Sequence, residues 1–117
     1  PKERDPRMKK LLAAALAAVA AAAAAAAIPA LAAGTQTVAL KDTFFAPKSM
    51  TIARGTTIKF RWVGQLPHNV TVRRGPQKFR TPNFTHGRTL LHRFTVSGRY
   101  LIVCTIHPGM ELNVRVK

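Results

Sequence analysis

Between Thr57 and Val63 the chain alternates cleanly, with Ile58, Phe60 and Trp62 on one side and Lys59 and Arg61 on the other. A repeat of two residues belongs to an extended backbone, so this stretch reads as an antiparallel strand with one face buried and one in water. The rest of the chain after residue 34 follows suit. Thr37 to Leu40 reads as a first strand, Phe44-Phe45-Ala46-Pro47 as a bend with apolar anchors, and Met50 to Ala53 as a second strand ended by Arg54-Gly55. His68 to Val72 reads as a strand with Val70 and Val72 on the face of His68. Residues 73 to 90 hold Gly75, Pro76, Pro82 and Gly87 and read mostly as loop. Leu91 to Val96, the tight turn at Ser97-Gly98, and Arg99 to Cys104 read as a hairpin. Leu112 to Lys117 closes the chain with Leu112, Val114 and Val116 inward. No helical periodicity longer than two turns appears in this part, and there is no internal repeat. About seven to eight short strands with frequent turns predict an all-β fold, a sandwich or small barrel.

The first third has another character. Met8-Lys9-Lys10 is a positive start, Leu11 to Ile28 is an uncharged run dominated by alanine, and Pro29-Ala30-Leu31-Ala32-Ala33 follows. A basic start, an apolar middle and small residues at the cleavage positions are the order of a secretory signal. The run is long for a signal and barely enough to span a membrane. Alanine is only weakly hydrophobic, however, and Pro29 with the small residues Ala30 and Ala32 favours cleavage over an uncleaved anchor. The expectation is a signal peptide over 1–32, with residues 1–7 as an upstream extension, and one domain over 33–117. The protein is then periplasmic or extracellular, and membrane-anchored if the signal is retained.

Of the chain's 19 lysines and arginines, Lys2, Arg4, Arg7, Lys9 and Lys10 precede the apolar run, so 14 belong to the domain, against the two acids Asp42 and Glu111. The domain therefore carries about +12 with histidine neutral, a balance that favours anionic partners and says nothing about fold. The basic residues are scattered singly, as on a solvated face. Cys104 is the only cysteine. A disulfide within the chain is excluded, and an unpaired thiol in an exported protein calls for an explanation such as a metal ligand.

Cys104-Thr105-Ile106-His107-Pro108-Gly109-Met110 supplies that explanation. A thiolate, an imidazole and a thioether fall within seven residues, where a strand ends and a loop turns back. Soft sulfur with imidazole selects copper over magnesium, calcium or manganese, and thioether is a poor zinc ligand. One more ligand must come from elsewhere, and His68, at the start of a strand after Leu66-Pro67, is the best candidate. Two histidines, a cysteine and a weak axial methionine make the ligand set of a blue-copper electron-transfer site. His86 and His92 lack the spacing and read as ordinary surface or strand residues; Trp62, Phe60 and Phe94 read as core. Asn69-Val70-Thr71 and Asn83-Phe84-Thr85 match a glycosylation pattern that is common by chance.

At this point the chain resembles the cupredoxins, most closely the amicyanin and plastocyanin group. The matching pieces are Phe45-Ala46-Pro47, the strand from Gly55 to Trp62, Pro67-His68-Asn69-Val70, Gly98-Arg99-Tyr100, and Cys104 to Met110. The short His107–Met110 spacing is similar to amicyanin and unlike the longer azurin loop. The resemblance implies a Greek-key β-sandwich and one type 1 copper ion on His68, Cys104, His107 and Met110. It also implies a supporting role for Asn69, tying the loop of the first ligand to the Thr105 region and so orienting the ligands. Residues 73 to 90 are shorter and more basic than in typical plastocyanins and no acidic patch is present, which leaves the partner open.

The first expected function is one-electron transfer between protein redox partners, acidic ones given the charge, by a monomer with no nucleic-acid role. The electron would pass at the edge of the His107 ring, amid Leu66, Pro67, Pro108 and Gly109. The basic surface also leaves room for association with a membrane surface or cell wall. The alternative is an exported copper carrier or storage protein, and a third reading is a metal-free basic binding module, which leaves the Cys104–Met110 loop unexplained. An enzyme is not expected, since four ligands leave no open position for substrate.

Overall fold

The computed structural model describes residues 32–117. The predicted signal segment, 1–32, lies outside them but for its last residue. The described residues form eight strands: β1 (Thr35–Leu40), β2 (Phe45–Ala46), β3 (Ser49–Ile52), β4 (Thr57–Trp62), β5 (Thr71–Arg74), β6 (Thr89–Arg93), β7 (Gly98–Val103) and β8 (Glu111–Val116). They build two four-stranded sheets, ordered β2-β1-β4-β6 and β3-β8-β7-β5. The class is the one expected, an all-β sandwich with Greek-key-like connections. β1 lies parallel to β4, and β3 parallel to β8, although neither pair is consecutive in the chain.

The alternation that marks β4 does what a period of two dictates. Ile58, Phe60 and Trp62 are buried and Arg61 is exposed. Leu112, Val114 and Val116 of β8 face them from the other sheet, with Val38, Leu40, Phe45, Phe94, Tyr100 and Ile102 completing the core. Each such side chain contributes about 1.5–3 kcal/mol by leaving water, which is what holds two small sheets face to face.

Two local expectations are corrected. The segment read as a strand from His68 joins the sheet only at Thr71; His68 instead makes an isolated bridge to Phe84, and Thr71 another to Arg80. The segment from Pro76 to Arg88 folds back over 68–71 and takes the backbone partners that a neighbouring strand would supply. The second correction concerns the hairpin read at Ser97-Gly98. β6 pairs with β4 in one sheet and β7 pairs with β5 and β8 in the other, so the turn is a crossing between sheets. Phe94, just past β6, is still tied to the β4 side: its N–H donates to Thr56 O at 2.9 Å, its carbonyl accepts from Gly55 N at 2.6 Å, and its ring is fully buried, so the crossing to β7 comes after it.

Candidate metal centre

The C-terminal ends of β4 and β7 lie at the same end of the sandwich, and the loops that follow them meet there. β7 and β8 pair up to Val103 opposite Glu111. The next pair closes the loop, with Cys104 N–H donating to Met110 O at 3.1 Å, His107 N–H to Cys104 O at 3.4 Å and Met110 N–H to His107 O at 3.1 Å. Gly109, at φ +83°, takes the left-handed conformation that such a reversal needs and that a side chain would resist. Cys104 and Met110 are thereby buried at the base of the loop, and His107, part-way along, is half-buried.

His68 is held from several sides. Its N–H donates to Phe84 O at 3.0 Å, and its carbonyl accepts both Phe84 N at 2.8 Å and the indole Nε1 of Trp62 at 2.8 Å. The loop leading to it is shaped by Asp42, whose Oδ1 accepts the N–H groups of Gln65 at 2.6 Å and Leu66 at 3.3 Å. Gly64 packs so closely on Asp42 that a side chain there would collide with it. His68 is fully buried. Burial, and next the neighbouring His107, push its pKa below the ordinary 6.5, while Asp42 and the Lys41 backbone pull the other way.

The three side chains converge. His68 Nδ1 lies 3.1 Å from His107 Nδ1, and Cys104 Sγ lies 3.4 Å from His107 Nδ1 and 3.8 Å from His68 Nδ1. All three donor atoms fall within 4.8 Å of one another. A transition-metal ion bonded at about 2.0 Å to nitrogen and about 2.3 Å to sulfur can reach atoms spaced like these. The donor set, a thiolate and two imidazoles, is soft and suits copper. The cluster can thus hold a single copper ion. Met110, the fourth residue named from the sequence, is 1% exposed and packs in the core, with its backbone tied to Cys104 and His107.

Asn69 links the two halves of the site. Its amide Nδ2 donates to Thr105 Oγ1 at 2.8 Å and to Asn83 Oδ1 at 2.8 Å, and its Oδ1 accepts Thr105 N at 3.2 Å and Thr71 Oγ1 at 2.8 Å. One side chain therefore couples the His68 segment, the Cys104–Met110 loop and the 75–88 loop. Asp42, Asn83 and the indole of Trp62 also position the centre, and the sequence reading did not name them for that. Asp42 offered a faint signal, as one of two acids in a basic domain. Asn83 offered none, since its partners come together only in the fold. Around His107 the rim is apolar and exposed: Leu66, Pro67, Ile106, Pro108 and Gly109. His86 sits in an exposed loop, with Nδ1 3.3 Å from Gly64 O, and His92 lies on β6, both outside the cluster.

A two-sheet Greek-key sandwich with a His-Cys-His cluster at one end defines a cupredoxin with a type 1 copper-binding motif. Residues 32–117 match the family of copper-binding proteins of the plastocyanin/azurin type, and the chain belongs to that family. Among solved structures it is similar to the copper-containing nitrite reductase of Thermus scotoductus SA-01, at 33% identity and a TM-score of 0.62 over 78% of this chain. That likeness spans only 23% of the nitrite reductase chain. A purple cupredoxin from Nitrosopumilus maritimus matches with 24% identity and a TM-score of 0.63, over 69% of this chain and 98% of its own. The reduced Cu(I) form of an amicyanin mutant matches with 23% identity and a TM-score of 0.64, over 74% and 86% of the two chains. The last two likenesses speak to the fold. No curated protein sequence matches the chain.

Proposed function

We propose that this protein carries single electrons between protein redox partners, with copper held by His68, Cys104 and His107 and with Met110 as the weak axial ligand. The observation that carries the reading is the convergence of two imidazole Nδ1 atoms and one thiol at 3.1 to 3.8 Å, at one end of a cupredoxin sandwich. Copper bound there supplies a one-electron couple. The protein's part is to keep the donor atoms where they are. The ladder from β7 to β8 fixes Cys104 and Met110, Trp62 and Phe84 clamp the His68 backbone, and Asn69 ties that segment to Thr105. Ligands held this firmly need not move when charge is gained or lost. The half-buried His107, set among the exposed residues Leu66, Pro67, Ile106 and Pro108, offers a partner a short path and a surface for brief docking.

The domain's surplus of positive charge, about +12, makes acidic proteins the natural partners, and an anionic membrane or wall a natural neighbour. The basic start and alanine-rich run before residue 33 support export to the periplasm or beyond. A monomer serves this function, since the rim must stay open to partners. Carriage or storage of copper is the alternative reading. It is weakened by the burial of Cys104 and Met110, since a carrier hands its metal on through exposed sulfur ligands. The test is the visible spectrum of the Cu(II)-loaded protein. The reading requires an intense thiolate-to-copper band that Cys104→Ala abolishes while the variant stays folded. A band that survives the substitution overturns the assignment.

A further inference from the structure

The two ends of the sandwich differ in their acids, although cations such as Lys41 and Arg88 stand at the metal end as well. Both acids of the domain lie toward the metal end: Asp42 braces the loop before His68, and Glu111 is paired with Val103, next to Cys104. At the opposite end, β3 runs out into Arg54, β6 ends at Arg93, β7 begins with Gly98-Arg99 and β8 finishes with Arg115, Val116 and Lys117. Arg54, Arg93, Arg99, Arg115 and Lys117 are all exposed, and no acid stands among them.

On the outer face of the second sheet the arrangement tightens. Arg99 and Arg115 are directly opposite each other on β7 and β8, with Thr51 of β3 next in the same row. The adjoining row holds Ser49, Asn113 and Leu101, with Arg74 opposite Leu101. Like charges placed directly across two strands destabilise a sheet. The acid on this face, Glu111, lies at the other end of β8 and pairs with Arg73 at 3.9 Å. Shallow grooves there are lined by Arg74, Arg99 and Arg115 together with Ser49, Thr51 and Asn113. Guanidinium forks beside hydroxyl and amide donors are groups that recognise phosphate oxygens.

Ala33 and Gly34 lead into β1 at this same end. Gly34 O accepts Thr57 N at 2.8 Å, and Thr35 is opposite Thr57, beside the Arg54-Gly55 turn.

We propose that this basic end docks on an anionic phospholipid surface, taking headgroup phosphates around Arg99 and Arg115, and so presents the metal end away from the membrane. The proposal rests on the reading of the protein as exported and lying beside a membrane. It gives the charge at this end a task that the apolar rim of the metal end cannot perform. A partner can then reach His107 while the domain remains on the lipid.

The experiment is hydrogen exchange on the full chain bound to vesicles of phosphatidylglycerol or, separately, of phosphatidylcholine. Phosphatidylglycerol alone should protect 53–57, 93–99 and 113–117, with 64–67 and 105–109 unchanged. The combined variant Arg54→Glu, Arg93→Glu, Arg99→Glu, Arg115→Glu should lose that protection, and its phosphatidylglycerol-dependent gain in binding should fall roughly 100-fold or more. Protection over the metal-end loops, or none at the basic end, overturns the proposal, as does protection by an acidic protein with none by vesicles. The visible band of the same variant after Cu(II) loading reports on the copper site separately, so loss of lipid docking and failure of the copper reading are told apart.

Discussion

At the scale of single residues, the centre depends on side chains that do different work from close positions. Met110 is buried at the base of its loop; in the proposed ligand set it is the weak axial donor, which tunes a copper site more than it holds the metal. Met110→Gln should therefore retain copper and lower the reduction potential, because an oxygen donor favours Cu(II). Voltammetry together with a copper assay checks both, and loss of the metal would show that Met110 anchors it. Asn69 is 2% exposed and makes four hydrogen bonds to three segments. Asn69→Ala leaves Thr105, Asn83 and Thr71 without those partners and should cost about 1–3 kcal/mol, read from the denaturant midpoint. A role in holding the ligands further requires a shifted potential or visible band in this variant; an unchanged copper spectrum would reduce Asn69 to a structural tie.

At the scale of elements, β6 carries a feature that the copper site does not use. His92 stacks on Phe79 with ring centroids 3.9 Å apart and meets the edge of Phe94 at 4.8 Å. Its Nε2 is buried with no hydrogen-bond partner among the described residues. Burial lowers its pKa below the ordinary 6.5. The folded protein then keeps this imidazole neutral at a pH where the unfolded chain has already taken up a proton. Stability is accordingly full above about pH 6.5 and is lost as the pH falls through the lowered value. His92→Phe should keep the aromatic packing and flatten the loss. Urea midpoints of both proteins between pH 7.5 and about 5 should converge at the top of the range and separate toward the bottom; parallel curves would show that His92 does not carry the effect.

At the scale of the whole molecule, the proposed preference for acidic partners makes a prediction about how they arrive. Attraction between a domain of about +12 and an acidic redox protein acts over roughly a Debye length, about 10 Å at 0.1 M salt. The bimolecular rate of copper reduction by an acidic protein should therefore fall as salt rises, toward a floor set by the apolar rim around His107. The cations are dispersed over both sheets, so single substitutions should each do little, while reversing Lys41, Arg61, Arg80 and Arg88 together should slow association markedly. Stopped-flow rates against ionic strength, with one acidic and one basic partner, test this. Rates flat with salt for both would mean that the charge does not steer encounter.

What the sequence determined by itself was local. The period of two in Thr57–Trp62 and Leu112–Val116 specifies strands and their buried faces, because alternation can satisfy a half-buried sheet and little else. The spacing from Cys104 to Met110 puts three donor types on one loop, because a chain that reverses within a few residues cannot keep its ends apart. Which strands become neighbours was decided by the tertiary structure. β6 and β7 are separated by a short turn and still lie in different sheets, with Phe94 fully buried where the chain leaves the first sheet. His68 reaches Cys104 and His107 across more than thirty positions, and the contact needs β4, Trp62 and the 75–88 loop all in place. The gathering of Arg54, Arg93, Arg99 and Arg115 at one end has the same origin. Their spacing along the chain is irregular, and only the stacking of two sheets turns it into a charged surface opposite the metal.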